Sequence, residues 1–142
     1  MLYKLKQVFN IIYPKIKEKD YQLVIKYLEP LELNIFNEMS NYDKKHSVNI
    51  LKDCLKNKYL KDDILYLKLA LLHDCGKDKK TKFYQRVFHS ITKKGVLQFH
   101  PKRGFEKTKD INYKLALLIL KHHNKNIQNE KLKIFRKIDD RN

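Results

Sequence analysis

Ile64-Leu65-Tyr66-Leu67-Lys68-Leu69-Ala70-Leu71-Leu72-His73-Asp74-Cys75-Gly76-Lys77 is the stretch that decides how this chain is read. Ile64 to Leu72 forms a strongly apolar helix that Asp62 or Asp63 can cap, and it delivers His73-Asp74 at its C-terminal end before Gly76 stops it. A neighbouring imidazole and carboxylate in that place, followed by Lys77, suit a divalent metal that activates water beside an anion. Ligands at a helix end are held by a packed element yet stay within reach of solvent and substrate. Adjacent helical side chains diverge by roughly 100°, but at a helix end the second can turn inward so that both meet one ion.

Working outward, helical periodicity returns at about residues 2–17, 20–28 and 31–39, the last after Pro30 in a first-turn position. A further helix runs from near Asn41 to about Asn57, with Val48, Leu51 and Leu55 at helical spacing and His46 near its start. Beyond the central stretch, 77–82 reads as a basic loop at the rim of the site, and 83–92 as a helix ended near Gly95. After Phe99-His100-Pro101 come a short helix through Gly104 to Lys107, an apolar helix over 113–123, a polar turn over 124–129 and a last helix over 130–140. Only three Gly and three Pro leave little material for a turn-rich β-sandwich, so the fold is expected to be nearly all α. At 142 residues we expect a single domain over 1–142, with N-terminal helices 1–40 packing on a metal-binding core 41–142. Arg141 and Asn142 are then expected close to the site.

Thirty-two Lys plus Arg against sixteen Asp plus Glu give a formal charge of +16, a field that concentrates anions. The excess is scattered along every helix with no RNA-binding aromatic signature, helix-turn-helix pattern or zinc-finger spacing, so nucleic acid is a possible but not a favoured partner. Cys54 and Cys75 form no framework and no C-x-x-C pair and read as free thiols of the reducing cytosol; a cytoplasmic location is expected. Lys4, Lys6, Lys15 and Lys17 interrupt the first apolar segment, so no integral membrane segment and no signal is expected there.

The pair at 73–74 has an ordinary reading, in which Asp74 is a C-terminal turn residue and His73 a core imidazole. Context tips the balance, because His46, His73, Asp74 and one later carboxylate make a mixed nitrogen and oxygen set suited to Fe, Mn, Co or Zn. Asp139 falls four residues after Phe135 and seven after Leu132, on the apolar face, and is favoured as that carboxylate over Asp140, which is left to support it or to face solvent. His100 and His122 would complete a second metal position. His123 is a further ligand, a phosphate contact or a supporting donor, and the bland reading of His122-His123 is a cation pair at a helix C-terminus. His89 fits no ligand spacing and reads as structural or surface.

The ordered series His46, His73-Asp74, Asp139 resembles the signature of the HD-domain superfamily of metal-dependent phosphohydrolases. Leu72 to Lys77, His100-Pro101-Lys102-Arg103-Gly104 and Ile119-Leu120-Lys121-His122-His123 look like the corresponding stretches of the subset with extra histidines and a two-metal centre. Asp139-Asp140-Arg141-Asn142 is similar to the last motif of the small single-domain HD proteins of low-GC Firmicutes. The resemblance runs from about His46 to the end. It implies an all-α HD-domain helical bundle with one or two divalent transition metal ions at its middle, and hydrolysis of a phosphate ester, often of a nucleotide. Carried over by position, His46, His73, Asp74 and Asp139 would hold one metal, and His100 and His122, with Asp74 bridging, the other. Cys75 departs from the aliphatic residue common at its place, and Asn124 stands where the cyclic-dinucleotide phosphodiesterase branch has Glu, so that branch's activity is not implied.

The expected reaction is metal-assisted hydrolysis of a small phosphorylated substrate, with Asp74 and Lys77 as the catalytic pair and Lys77, Arg103 and Arg141, with Lys79 and Lys80, contributing phosphate-binding charge. The leading alternative is a non-catalytic metal-containing module that senses a nucleotide. A basic nucleic-acid-binding helical protein and an oxygen-activating diiron enzyme are more distant rivals.

Overall fold

The apolar helix of the central stretch forms as the residue pattern predicts, over Ile64–Leu72, and every residue from Tyr66 to Leu72 is buried. A helix apolar on all sides has nowhere to sit but the middle of a bundle. The structure, a computed structural model, describes residues 3–4, 15–77, 99–126 and 128–142. The amphipathic helix predicted over 2–17 lies largely outside these, and the helix predicted over 83–92, with Lys79, Lys80 and His89, lies wholly outside them.

Among the described residues the regular elements are helices: α1 (Glu18–Tyr27), α2 (Pro30–Glu38), α3 (Asn41–Lys56), α4 (Ile64–Leu72), α5 (His100–Thr108), α6 (Tyr113–Lys121) and α7 (Glu130–Arg141). The starts of α3, α4, α6 and α7 follow side-chain capping. The Ser40 hydroxyl accepts from the Asp43 amide at 3.1 Å, and the Asp63 carboxylate, rather than that of Asp62, accepts from Leu65. Asn112 and Asn129 cap α6 and α7 in the same way. The α5 helix is longer than the short one predicted after Pro101 and through Gly104 to Lys107, because His100 already belongs to its first turn with Pro101 beside it, where a missing N–H costs no hydrogen bond.

Helices α1, α2, α3 and α6 all pack on α4, α7 packs on α3, and α5 packs on α6. Leu69, Leu71 and Leu72 from α4 join Ile50, Leu51, Leu115, Ile119, Leu132 and Phe135 in one core. Each such side chain contributes about 1.5–3 kcal/mol relative to exposure. Lys68, the one charge on α4, ends on Glu32 of α2 at 2.9 Å. Glu32 also accepts from Asn112, the cap of α6, at 3.2 Å and from the Glu29 amide at 2.9 Å, so one buried carboxylate ties α2, α4 and α6 together.

Gly76 corrects one expectation. The helix already ends at Leu72, and Gly76 is not in the left-handed conformation of a glycine cap. What requires glycine is proximity, since a Cβ there would lie 1.9 Å from the His100 carbonyl oxygen and 2.5 Å from the Gly104 amide. Gly104 meets the same turn from the other side, and a Cβ on it would touch Ile119 and the Cys75 sulfur. Lys107 reinforces the junction by donating to the Cys75 carbonyl at 3.0 Å. No helix of the described residues is long and apolar enough to cross a membrane.

Candidate metal centre

Five elements deliver the titratable residues to one place. His46 comes from the second turn of α3, His73 and Asp74 from the turn that closes α4, His100 from the start of α5, His122 and His123 from the end of α6, and Asp139 from the last turn of α7. His73, Asp74, His100 and His122 are buried, while His46 and Asp139 are partly so.

The imidazoles are aimed rather than merely close. The His73 Nδ1 lies 3.0 Å from the Ala70 carbonyl and the His122 Nδ1 hydrogen-bonds the Ile119 carbonyl, one turn back in each case. A carbonyl can only accept, so Nδ1 carries the proton in both rings and Nε2 is left as the lone-pair donor. The His122 Nε2 is buried and has no hydrogen-bond partner among the described residues. A buried nitrogen left so costs about 1–3 kcal/mol unless a ligand fills it. Phe135 meets the His73 ring edge-on at 5.6 Å and holds its plane.

Donor spacing decides what fits. Donors about 2.0–2.2 Å from a common transition metal ion lie about 3.0–3.6 Å from each other. The Asp139 Oδ1 is 3.2 Å from the His46 Nε2 and 3.4 Å from the His73 Nε2. The Asp74 Oδ2 is 3.3 Å from the His73 Nε2 and 3.7 Å from the His46 Nε2, whereas its Oδ1 is 3.0 Å from the His100 Nε2. The donors thus fall into two sets, His46 with His73 and Asp139, and Asp74 with His100, His122 and His123. Asp74 faces both, one oxygen to each. The donor set fits one or two ions of the Fe, Mn, Co or Zn type, with no thiolate. Cys75 is next in sequence to Asp74 but buried against Gly104, and burial pushes its thiol up to about 12.

Charge follows from this arrangement. Burial alone would raise Asp74, but His73, Lys77 and the His100 hydrogen bond hold it well below the usual carboxylate range. Asp139 is held down likewise, burial being outweighed by His73 and His46. Burial would lower His73, but the Asp74 and Asp139 carboxylates hold it up at about 10. His122 goes the other way, pushed down by burial and then by His123, His73 and His100. His123 keeps an exposed edge while its ring lies against His100 and His122, and loss of water, followed by the His100 charge, pushes it down to about 4.

Of the residues singled out from sequence, His46, His73, Asp74, His100, His122, His123 and Asp139 come together. Asp140 is exposed. Lys77 sits against the centre, its Nζ 2.8 Å from the Asp74 Oδ2. Arg103 is exposed on α5. Arg141 lines a surface pocket with Asp53, Lys56, Asn57 and Asn142, and Asn142 donates to Asp53 at 2.9 Å. Two helical residues beyond Asp139 amount to about 200°, so Arg141 leaves α7 on the side away from that ligand.

Sequence reasoning missed three neighbours. Tyr42 stacks on His46 with a 4° interplanar angle, and its hydroxyl is pushed up to about 12, chiefly by burial. Its position four residues before His46 is a readable signal. Asp43, buried beside it, accepts from the Ser40 hydroxyl at 2.7 Å. Tyr3 lies near enough to Asp139 and Asp140 that, after burial, their charge raises its hydroxyl; no local spacing could have announced that contact.

Residues 44–141 match the family model described as HD domain. No curated protein and no solved structure matches the chain.

Proposed function

The chain belongs to the HD domain family, whose members are in general metal-dependent phosphohydrolases, and from that premise we propose that it hydrolyses a phosphate ester of a nucleotide or a related small phosphorylated molecule. One observation carries the reading: the two oxygens of Asp74 are divided between two sets of imidazole and carboxylate donors. A carboxylate so placed could serve both sets. His46, His73, Asp74 and Asp139 would hold one, and His100, His122 and Asp74 the other, with His123 beside the second.

When bound, the ions supply a nucleophilic water at neutral pH and neutralise charge on the transferring phosphoryl group. The protein's part is to hold the donors in place. His73 and His122 are fixed through Nδ1, and Asp74 is kept ionised by the cations around it. Lys77 adds a permanent positive charge at the edge of the centre, Arg103 offers another from α5, and the scattered Lys surface favours an anionic substrate. The two buried free thiols suit a reducing compartment, so we place the protein in the cytoplasm and treat 1–142 as one domain.

Elemental analysis of protein purified anaerobically, without chelator or His tag, tests the centre directly. About two equivalents per chain, falling to about one in His122→Ala, are expected, with phosphate released from members of a nucleotide panel. Two equivalents with saturable nucleotide binding and no phosphate release would replace the hydrolase with a sensing module.

A further inference from the structure

Lys77 reaches the centre, and its ammonium is already engaged. Its Nζ lies 2.8 Å from the Asp74 Oδ2, with the two side chains only 12% and 3% exposed. The Lys77 amide donates to the Asp74 carbonyl at 3.0 Å, so the turn that bears both residues is closed and the reach of the side chain is set. A carboxylate that serves two donor sets has two equivalent oxygens and can rotate about its Cβ–Cγ bond. An ammonium on Oδ2 alone, with His100 on Oδ1, removes that equivalence and fixes which oxygen faces which set. A charge-assisted hydrogen bond of this length is strong enough to do so.

We propose that Lys77 is a positioning residue, clamping Oδ2 of Asp74 and acting on the centre through that carboxylate rather than as a ligand of the substrate phosphate. The proposal rests on the reading of this cluster as a metal centre. Substrate phosphate then takes its charge from the ions and from exposed cations such as Arg103.

Two probes separate the roles, Co2+ and inorganic phosphate. In Lys77→Met the dissociation constant for Co2+ rises on the order of 10–100-fold and the visible ligand-field spectrum shifts, as expected when a residue supporting a ligand is lost. The phosphate affinity of the Co2+-saturated variant changes less than about threefold on the same reasoning. Lys77→Arg, which keeps the charge, recovers part of the metal affinity. Lys68→Met, which disturbs the fold away from the centre, leaves the spectrum unchanged. A tenfold or greater loss of phosphate affinity in Co2+-saturated Lys77→Met, or a Co2+ affinity and spectrum identical to the parent's, overturns the proposal. A parent protein that takes up no Co2+ overturns instead the metal centre on which the proposal rests.

Discussion

Two buried polar clusters hang on the same nine-residue helix and differ in one respect. Halfway along α4, Lys68 meets Glu32, and Glu32 is filled by Lys68, Asn112 and the Glu29 amide; Asn112 in turn caps α6. At the end of α4, His73 and Asp74 meet five more ligand-type residues, and the His122 Nε2 is left pointing inward without a hydrogen-bond partner among the described residues. The first cluster is closed and needs nothing from outside the chain. The second is open, and an open buried cluster is stable only with something in it. Burial does not separate the two, since both place carboxylates against nitrogen donors inside the protein. Satisfaction does.

The largest effect should come from breaking the open cluster at its shared member. Asp74→Ala removes a donor from both sets, and we expect hydrolysis to fall by about 10³-fold or more, since the ions' contribution amounts to several kcal/mol. Circular dichroism should show the helices intact. Full activity with full metal content would remove Asp74 from the centre.

Breaking the closed cluster should do the reverse. Lys68→Met leaves Glu32 buried without its counter-charge and should cost about 3–5 kcal/mol in urea unfolding, with metal content per folded chain unchanged. Pairing it with Glu32→Leu should return much of that loss, because replacing both partners of a buried pair is often nearly neutral. A Lys68→Met protein that loses metal but not stability would erase the distinction between the clusters.

Ligand linkage sharpens the comparison further. Free metal at a hundredfold above its dissociation constant should add about 2.7 kcal/mol to unfolding, and a chelator should remove it. The same gain should persist in Lys68→Met and shrink in His122→Ala, both read as the shift in unfolding midpoint.

The smallest effect is a change in the shape of the pH profile. In chelated protein His73 is held up at about 10, so its contribution is complete below about 6.5, the free imidazole value, and is lost as pH rises towards 10. His123 is pushed down to about 4, so stability is lost as pH falls from about 6.5 towards 4. Urea midpoints of the chelated protein should therefore peak near pH 6.5, and metal should flatten the alkaline side, where His73 is held as a neutral ligand. An alkaline slope that is the same with and without metal would separate His73 from the ions.

These clusters were not equally legible. Every residue of the open one is His or Asp, sits at an element end or in helical phase with apolar neighbours, and carries its chemistry on its face. The closed one is written in Glu32, Lys68 and Asn112, far apart in sequence and ordinary surface residues elsewhere. Gly76 was legible as a breaker and wrong in its reason, because the backbone of α5 that excludes a side chain there arrives only with the tertiary structure. Arg141 was expected near the site by its closeness to Asp139 in sequence, and helical rotation carries it to the pocket beside Asp53. Tyr42 could have been found from its phase relative to His46, whereas Tyr3 could not.

The approach of Gly76 to the His100 carbonyl has a consequence for what can vary. It presses the turn that carries Asp74 against the first turn of α5, which carries His100, main chain against main chain. The gap between the two donor sets is thereby gauged by peptide backbone rather than by adjustable side chains. A gauge of that kind tolerates drift in everything around it: residues at the mouth can change with the molecule they must admit while the spacing that sets the chemistry stays the same. Selection on substrate and selection on reactivity then act on separate parts of one small chain.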